Sequence, residues 1–193
     1  MIDVFVPTLH RTSLRFCLKS LRKAGFADVK LVENMVWHEA CNHMASQSQS
    51  SWFLRVDEDM LLTKWSSSFI SKMADAHPHC GIINFKLFDW RTSRPIRGVK
   101  LYRSDVAKSI KFHPDENGRV DKIYSRRLFE EKIPVNMCAA IVGIHAETGY
   151  DEQLKSWKMR GEKDEKKLLS ITPGEFDYKA QMGFLETLKE PQV

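Results

Sequence analysis

The chain has 193 residues, is 42% hydrophobic and carries a formal net charge of +5. This length and apolar content predict one domain with a buried core. The longest mostly apolar stretch, Val135 to Ile144, is too short to cross a bilayer, and the N-terminus lacks the basic-then-apolar order of a secretory signal. We therefore expect a soluble, cytoplasmic protein without a transmembrane segment. The four cysteines show no metal-ligand spacing, and we expect them to be reduced.

Strands and helices alternate over the first sixty residues. The apolar run Ile2 to Val6 predicts a strand that ends at Pro7, and the helix after it has Thr12 as a possible cap and Gly25 as its end. A second strand, a second helix and a third strand are expected at Val29 to Val32, His38 to Ser46 and Trp52 to Val56. This order predicts a parallel sheet with right-handed crossovers.

The second half of the chain has a mixed pattern without an internal repeat. We expect helices at Ser66 to Ala76, Arg119 to Glu131, Glu152 to Leu169 and Glu175 to Leu188, and strands at Gly81 to Leu87, Val99 to Tyr102 and Val135 to Ile144.

Positive charge is concentrated between Arg91 and Arg127. Eleven lysines and arginines face four acids there, an excess of seven that is larger than that of the whole chain. Such a surface suits a polyanionic partner such as nucleic acid, a phosphorylated lipid or an anionic membrane. The alternative is a solvated basic surface that only keeps the protein soluble.

An acidic triplet, Asp57-Glu58-Asp59, directly follows the third predicted strand. If that strand is central, the triplet lies at the carboxyl edge of the sheet, where α/β proteins bind ligands. Carboxylates one residue apart on an extended turn can both reach one Mg²⁺ or Mn²⁺ ion, which would balance the charge of a diphosphate leaving group. The alternative is an acidic cap for a helix that begins near Met60. The apolar runs on both sides of the triplet favour the metal site.

Four features in order resemble the GT-A glycosyltransferases, especially those of family 2, over about the first ninety residues. They are the opening strand with Pro7-Thr8 and His10-Arg11, the leucine-bearing helix Ser13 to Leu21, the strand end Val32-Glu33-Asn34, and Glu39-Ala40-Cys41-Asn42 followed by the strand that leads to Asp57 and Asp59. The resemblance implies a GT-A type α/β fold, a mostly parallel sheet flanked by helices. It implies a single domain, with a nucleotide-sugar half at 1–90 and an acceptor half with the C-terminal helices at 91–193.

The resemblance also implies roles for individual residues. Pro7, Thr8 and Glu33 would contact the nucleoside, Asn42 would lie near the donor, and Asp57 and Asp59 would bind the metal. Arg11 and Lys100 are further candidates for donor binding, as is Asp57 through the ion. The plainer alternatives are a strand end for Pro7-Thr8, a surface acid for Glu33 and a water-facing amide for Asn42.

Two residues of the second half are candidates for the chemistry. His145 resembles the late histidine that some GT-A enzymes use as a further metal ligand, and imidazole suits Mn²⁺ better than Mg²⁺. Asp121 falls where inverting members place the base that deprotonates the acceptor hydroxyl. Glu147 and Asp151 are the next choices. The alternatives are an ordinary surface or capping histidine and a helix N-cap.

The chain also departs from the family, since it lacks the Gln-x-x-Arg-Trp motif of processive synthases. We therefore expect transfer of a single sugar, with a UDP-sugar as the preferred donor. The acceptor could be anionic, with a phosphorylated lipid or hydroxymethylated DNA as examples. Four cations could bind either the donor phosphates or such an acceptor: Lys86, Arg97, Lys100 and Arg103.

Rival functions fit the sequence less well. Sugar nucleotidyltransferases usually carry a glycine-rich loop after the first strand, and Pro7 to Arg11 contains no glycine. Haloacid-dehalogenase-type phosphatases carry their Asp-x-Asp motif after the first strand, whereas this triplet follows the third. A noncatalytic nucleic-acid-binding domain would explain the basic segment but not the acids.

Overall fold

The computed structural model describes residues 2–114, 119–146 and 178–191. The strands are β1 Ile2–Thr8, β2 Val29–Glu33, β3 Trp52–Arg55, β4 Met60–Leu62, β5 Ile82–Asp89, β6 Arg94–Arg103 and β7 Val135–His145. The helices are α1 Leu14–Lys23, α2 Trp37–Gln47, α3 Ser66–Ala76, α4 Ser104–Ser109, α5 Val120–Glu130 and α6 Tyr178–Thr187.

One seven-stranded sheet with the order β2-β1-β3-β6-β5-β7-β4 takes strands from both sides of residue 90. The β2-β1-β3 part is parallel, as the alternating sequence predicts, and β5 also pairs in parallel with β7. β6 pairs antiparallel with β3 and β5, and β4 pairs antiparallel with β7. The α/β architecture flanked by helices is confirmed. All strand pairs are parallel only in the β2-β1-β3 part of the sheet. The rest of the sheet is mixed, because β5 and β6 form an antiparallel hairpin.

Helices cover both faces of the sheet. On one face α1 and α3 bury Cys17, Leu21, Phe69 and Ile70 against strand side chains. On the other face α2, α4 and α5 bury a second cluster around the stacked rings of Phe53 and Tyr102, whose centroids are 5.1 Å apart. Burying each aromatic side chain contributes roughly 2 kcal/mol to folding.

Several predicted boundaries need correction. Ser13, rather than Thr12, occupies the N-cap position of α1, while Gly25 does end the helix in a left-handed conformation with a φ of 97°. β6 begins at Arg94, five residues before the predicted strand, because its basic first half pairs with the end of β5. The short helix α4 was missed.

The stretch after the triplet is a strand. Met60–Leu62 forms β4 and pairs with β7, so the alternative of an acidic cap for a helix near Met60 is wrong. The predicted helix Glu152 to Leu169 lies outside the described residues, as do Glu147 and Asp151. In the part of the chain that the structure describes, no helix is long and apolar enough to span a membrane. All four cysteines are buried and free, as predicted.

Candidate active site

The acidic triplet lies at the carboxyl edge of the parallel strands. It directly follows β3, which pairs in parallel with β1, and it is followed at once by β4. The backbone N–H of Val56 donates to Phe5, and the N–H of Met60 donates to the carbonyl of Asp57. The three carboxylates are therefore placed on a tight connection between two buried strands, but their side chains have three different environments.

Glu58 is buried and organises the loop after β1. Its carboxylate accepts hydrogen bonds from the Thr8 hydroxyl, from the backbone N–H of Leu9 at 3.1 Å and from that of Arg11 at 3.1 Å. The guanidinium of Arg11 lies 3.2 Å from the same carboxylate. Glu58 therefore fixes the Thr8 to Arg11 loop against the triplet, and both of its oxygens are engaged by that loop.

Asp59 lies between two cations. Its Oδ2 accepts a hydrogen bond of 3.0 Å from Arg11, and its Oδ1 is 3.7 Å from Nε2 of His145. The other ring nitrogen of His145, Nδ1, is 2.8 Å from Oδ1 of Asp89, a residue at the end of β5. Burial would raise the pKa of Asp59, but His145 and Arg11 outweigh it and hold that pKa well below its usual range. We call Arg11, Glu58, Asp59, Asp89 and His145 the acid-triplet cluster.

His145 is charged in this arrangement. Burial would lower its pKa, but Asp59 and Asp89 outweigh burial and raise it to about 10. The imidazolium thus lies between Asp59, on the connection before β4, and Asp89, at the end of β5. The backbone adds a second link, because the N–H of Ala146 donates to the carbonyl of Asp59 at 2.7 Å.

Asp57 is the least satisfied of the three acids. Its Oδ1 is buried and has no hydrogen-bond partner among the described residues, although Nε of Arg55 lies 3.3 Å away. Burial raises the pKa of Asp57 against the opposing effect of Arg55. A buried carboxylate with a free oxygen can gain from a cationic ligand.

Arg55 is the centre of a second group of charges. Its side chain is 2% exposed, and it donates to Oδ1 of Asp121 at 2.8 Å and to Oδ2 at 3.1 Å. Lys100 lies 2.9 Å from Asp121 Oδ2, and the Tyr102 hydroxyl donates to Oδ1 at 3.1 Å. The guanidinium also lies 4.5 Å from the ring centre of Trp37. We call Arg55, Lys100, Tyr102 and Asp121 the Arg55 cluster.

This environment bears on the predicted base. Burial would raise the pKa of Asp121, but Arg55 and Lys100 outweigh it and lower the pKa far below the usual range. The pKa of Lys100 is itself lowered, by burial and then by Arg55, so Arg55 is the main partner of Asp121. A carboxylate whose two oxygens are both engaged by cations is a weak base. The geometry therefore favours a positioning role for Asp121, and its role as the catalytic base stays a prediction.

The residues predicted to contact the nucleoside lie at the ends of β1 and β2. Thr8 is paired in register with Glu33, and the carboxylate of Glu33 is 3.2 Å from Nε2 of His10, with both side chains half exposed. His10, two residues after the end of β1, and Asn34, directly after β2, have positive φ values of 60° and 54°. Pro7, Thr8 and Glu33 are thus brought together at one edge.

Asn42 is used by the fold. Its amide nitrogen donates to the carbonyl of Phe112 at 2.8 Å, and its oxygen accepts from the N–H of the same residue at 2.9 Å. This pair attaches α2 to the segment after α4. Donor binding by Asn42 stays a prediction that the geometry does not favour.

Two residues of the site were missed from the sequence. Arg55 is a charged residue within the apolar run Trp52 to Val56, and a buried charge of this kind requires a charged partner. That requirement was the sign in the sequence that Arg55 belongs to the site. Asp89 ends the apolar strand β5, but its partner His145 is 56 residues away in sequence, so no local pattern could join them.

The donor chemistry of the predicted metal ligands fits Mn²⁺ or Mg²⁺ in part. Asp59 and His145 approach each other, and Asp89 orients the imidazole as carboxylates do behind metal-bound histidines. Oδ1 of Asp57 accepts no hydrogen bond from the described residues. Among the described residues, however, no three His, Cys, Asp or Glu side chains are arranged as a ready metal site. Binding of an ion by His145 would require the loss of its proton.

No protein-family model matches the chain, and no curated protein matches its sequence. Solved structures do match. Residues 1-349 of S. aureus TarS match with a TM-score of 0.59 and 14% identity, over 74% of this chain and 59% of that one. The mannosyltransferase PcManGT from Pyrobaculum calidifontis, in complex with GDP-Man and Mn²⁺, matches with a TM-score of 0.61 and 10% identity, over 95% of this chain and 69% of that one. The chain has the GT-A fold.

Two further matches set the limits of this likeness. Glucosyl-3-phosphoglycerate synthase from Mycobacterium tuberculosis, in complex with Mn²⁺, UDP and phosphoglyceric acid, matches with a TM-score of 0.59 and 13% identity, over 85% of this chain and 80% of that one. A CMP:2-keto-3-deoxy-manno-octonic acid synthetase in complex with CTP matches with a TM-score of 0.53 and 9% identity, over 80% of this chain and 95% of that one. Sugar transferases and nucleotidyltransferases both have this GT-A architecture, so the likeness shows the fold and the function must be argued from the site.

Proposed function

We propose that this protein is a metal-dependent glycosyltransferase that moves one sugar from a nucleoside-diphosphate sugar to an acceptor hydroxyl. The observation that carries the proposal is the acidic triplet at the carboxyl edge of β3 in a GT-A sheet, with His145 reaching Asp59 from β7. The proposal also takes residues 1–90 as the donor half and residues 91–193 as the acceptor half of a single domain.

The donor is proposed to bind along the ends of β1, β2 and β3. Pro7, Thr8 and Glu33 share one edge of the sheet and would contact the nucleoside. A UDP-sugar is the preferred donor. Structures of this fold have been solved with UDP and with GDP-Man, which supports a nucleotide sugar without choosing the base.

Asp57, Asp59 and His145 would hold the Mn²⁺ or Mg²⁺ ion. When bound, the ion supplies charge balance to the diphosphate leaving group. Neighbouring side chains would hold these ligands in place. Asp89 orients the His145 ring, and Arg11 donates to Oδ2 of Asp59, so that Oδ1 of Asp59 faces the imidazole. Glu58 positions the loop that carries Arg11.

The acceptor side of the site would supply the base that deprotonates the acceptor hydroxyl. Asp121 is retained as the proposed base only if Arg55 and Lys100 release one of its oxygens. Glu147 and Asp151 are the other proposed bases. The acceptor is proposed to be anionic, and hydroxymethylated DNA remains one candidate beside phosphorylated molecules.

The test is the release of nucleoside diphosphate from UDP-, GDP- and CDP-sugars with and without Mn²⁺. Asp59→Asn should lower Mn²⁺-dependent release at least about 100-fold, since it removes a charged ligand of the ion. Asp75→Asn, an exposed acid of α3, is the matched control and should behave as wild type. Release that does not require metal, or that survives in Asp59→Asn, would refute the proposal.

The same assay separates the nearest rival. A nucleotidyltransferase of this fold would take a nucleoside triphosphate and a sugar and release pyrophosphate. The loop Pro7 to Arg11 is closed by hydrogen bonds to Glu58 and contains no glycine, which favours the glycosyltransferase.

A further inference from the structure

The four cations singled out from the sequence have different surroundings. Arg103 is paired with Asp105 and donates to the carbonyl of Pro78, and Lys100 is paired with Asp121. Lys86 and Arg97 have no carboxylate partner among the described residues. Lys86 is half-buried and Arg97 is exposed.

Lys86 and Arg97 are direct cross-strand partners in the antiparallel β5-β6 pair. Side chains of such partners lie on the same face of the sheet, with Cβ atoms about 5 Å apart. Two cations in this relation repel each other and destabilise the pair. Their position therefore has a cost in folding free energy that a bound anion would offset.

A β-bulge in β6 creates this arrangement. Asn84 pairs with Lys100, but Lys86 pairs with Arg97, so Gly98 and Val99 together oppose one residue of β5. In a regular strand, residues 97 and 100 would point to opposite faces, and the extra residue turns Arg97 to the face of Lys100. A Cβ at Gly98 would lie 2.3 Å from Cδ1 of Leu87, so a larger residue at this position would displace the buried Leu87 side chain.

The shared face leads toward the candidate active site. Arg55 of β3 is the register partner of Lys100, and the chain runs from Arg55 to Asp57 in the direction that leads from Lys100 to Arg97. Because of the bulge, Arg97 lies beyond Lys100 by the length of two β5 residues, about 7 Å along the strand. Lys86 and Arg97 therefore lie on the face of the sheet that carries Arg55 and Lys100, displaced toward the end of β3 at which the triplet begins.

We propose that Lys86 and Arg97 bind a single phosphate group of the acceptor. The inference rests on the proposed function in that the phosphate belongs to the molecule that receives the sugar. An arginine fork beside a lysine matches the oxygens and the charge of a phosphomonoester.

The observations favour one phosphate over a nucleic-acid backbone. A polyanion requires a row of free cations. In the described basic segment, Lys100, Arg103, Lys108 and Arg127 each already contact protein oxygens, and among the others Arg97 has a second cation as its direct cross-strand partner. Lys86 and Arg97 offer two cations with Cβ atoms about 5 Å apart, a spacing that fits one phosphate group.

The experiment is calorimetric titration of the full chain with inorganic phosphate at low ionic strength, without any donor. Wild type should bind saturably, and Lys86→Gln and Arg97→Gln should each weaken binding about tenfold, as expected for the loss of a charged hydrogen bond. Arg91→Gln is the matched control, because it removes an exposed cation of the same hairpin, and it should change binding by less than about twofold. Thermal unfolding of Lys86→Gln should occur at the wild-type temperature or above it.

Three results would overturn the proposal. They are the absence of saturable phosphate binding, a clear fall in the unfolding temperature of both variants, and displacement of the phosphate by UDP, which would assign the cations to the donor. Phosphate binding without turnover of any nucleotide sugar would refute the proposed glycosyltransferase and leave the phosphate site. Turnover without phosphate binding would refute the phosphate site alone.

A second set of titrations separates the sources of the phosphate. Binding of glycerol 3-phosphate but not of phosphatidylcholine vesicles containing phosphatidic acid would assign a soluble acceptor. Vesicle binding that both variants lose would assign a lipid headgroup, and either result supports the proposal. Binding of duplex DNA that Arg91→Gln weakens as much as Arg97→Gln would overturn it.

Discussion

The acidic triplet and the Arg55 cluster both bring charged side chains together near the end of β3. They differ in how many hydrogen bonds the carboxylate oxygens accept. In the Arg55 cluster both oxygens of Asp121 have at least two donors each. In the acid triplet, both oxygens of Glu58 accept hydrogen bonds. Asp57 Oδ1 accepts none from the described residues and has Nε of Arg55 3.3 Å away, and Asp59 Oδ1 faces the His145 imidazolium at 3.7 Å. Saturated carboxylates fix the fold, and the unsaturated ones are free to exchange partners. The contrast indicates which acids belong to the scaffold and which belong to the chemistry.

The largest expected effect comes from Arg55→Met. The change removes a buried guanidinium and leaves the half-buried carboxylates of Asp121 and Asp57 without their main cationic partner, which should lower the free energy of unfolding by about 3 kcal/mol. Urea denaturation measures it. Arg55→Met with Asp121→Asn should recover part of the loss, since the unpaired charge is then gone. A single variant as stable as wild type would show that the Arg55 cluster does not stabilise the fold.

Glu58→Gln should come next. The amide keeps the shape but loses the charge that accepts from the Thr8 hydroxyl, the Leu9 and Arg11 N–H groups and the Arg11 guanidinium. We expect a loss of roughly 2 kcal/mol in the free energy of unfolding. Binding of UDP, followed by calorimetry, should weaken as well because the loop after β1 loosens. Unchanged stability would contradict a scaffold role for the middle acid of the triplet.

Asp3, at the opposite end of β1, provides a saturated carboxylate outside the site. It accepts from Lys30 at 2.7 Å and from the N–H groups of Ser50 and Gln49 at 2.7 and 2.8 Å. Burial would raise its pKa, but these donors, Lys30 first, lower the pKa well below its ordinary value of 3.8. The folded state therefore favours the ionised form, so its stabilising effect is complete above pH 3.8 and is lost as the pH falls below that value.

Asp3→Asn should accordingly cost roughly 1 kcal/mol at about pH 6 and progressively less at about pH 3. Urea denaturation at the two pH values measures the difference. Asp28→Asn, an exposed acid near β2, serves as the control and should match wild type at both. A constant difference between Asp3→Asn and wild type would mean that the charge of Asp3 is not what stabilises this end of β1.

Asp57→Asn should have the smallest effect on stability and a large effect on function. Because burial raises the pKa of Asp57, its charged form is disfavoured in the folded state, and the neutral amide should leave the free energy of unfolding equal or slightly higher. Metal-dependent release of nucleoside diphosphate should nevertheless fall sharply. A variant that is strongly destabilised would place Asp57 with the scaffold acids instead.

Much of the fold followed from local patterns. The run of apolar residues in β1, β3 and β7 and the helical stripe of α1 gave elements within a few residues of their observed bounds. The β5-β6 hairpin was missed in part because Arg94 to Gly98 is polar and basic, so its strand character comes from pairing with β5 rather than from alternation.

The sequence by itself determined the order of the first strands and helices, the GT-A resemblance and the position of the acidic triplet, since these depend on periodicity and on residues adjacent along the chain. Only the tertiary structure decided which acids are saturated. It paired Arg55 with Asp121 and His145 with Asp89 as ions, and it placed Lys86 opposite Arg97 through a bulge. Each of these relations links residues on different strands and helices, so it is fixed by sheet register and packing, which no local pattern contains.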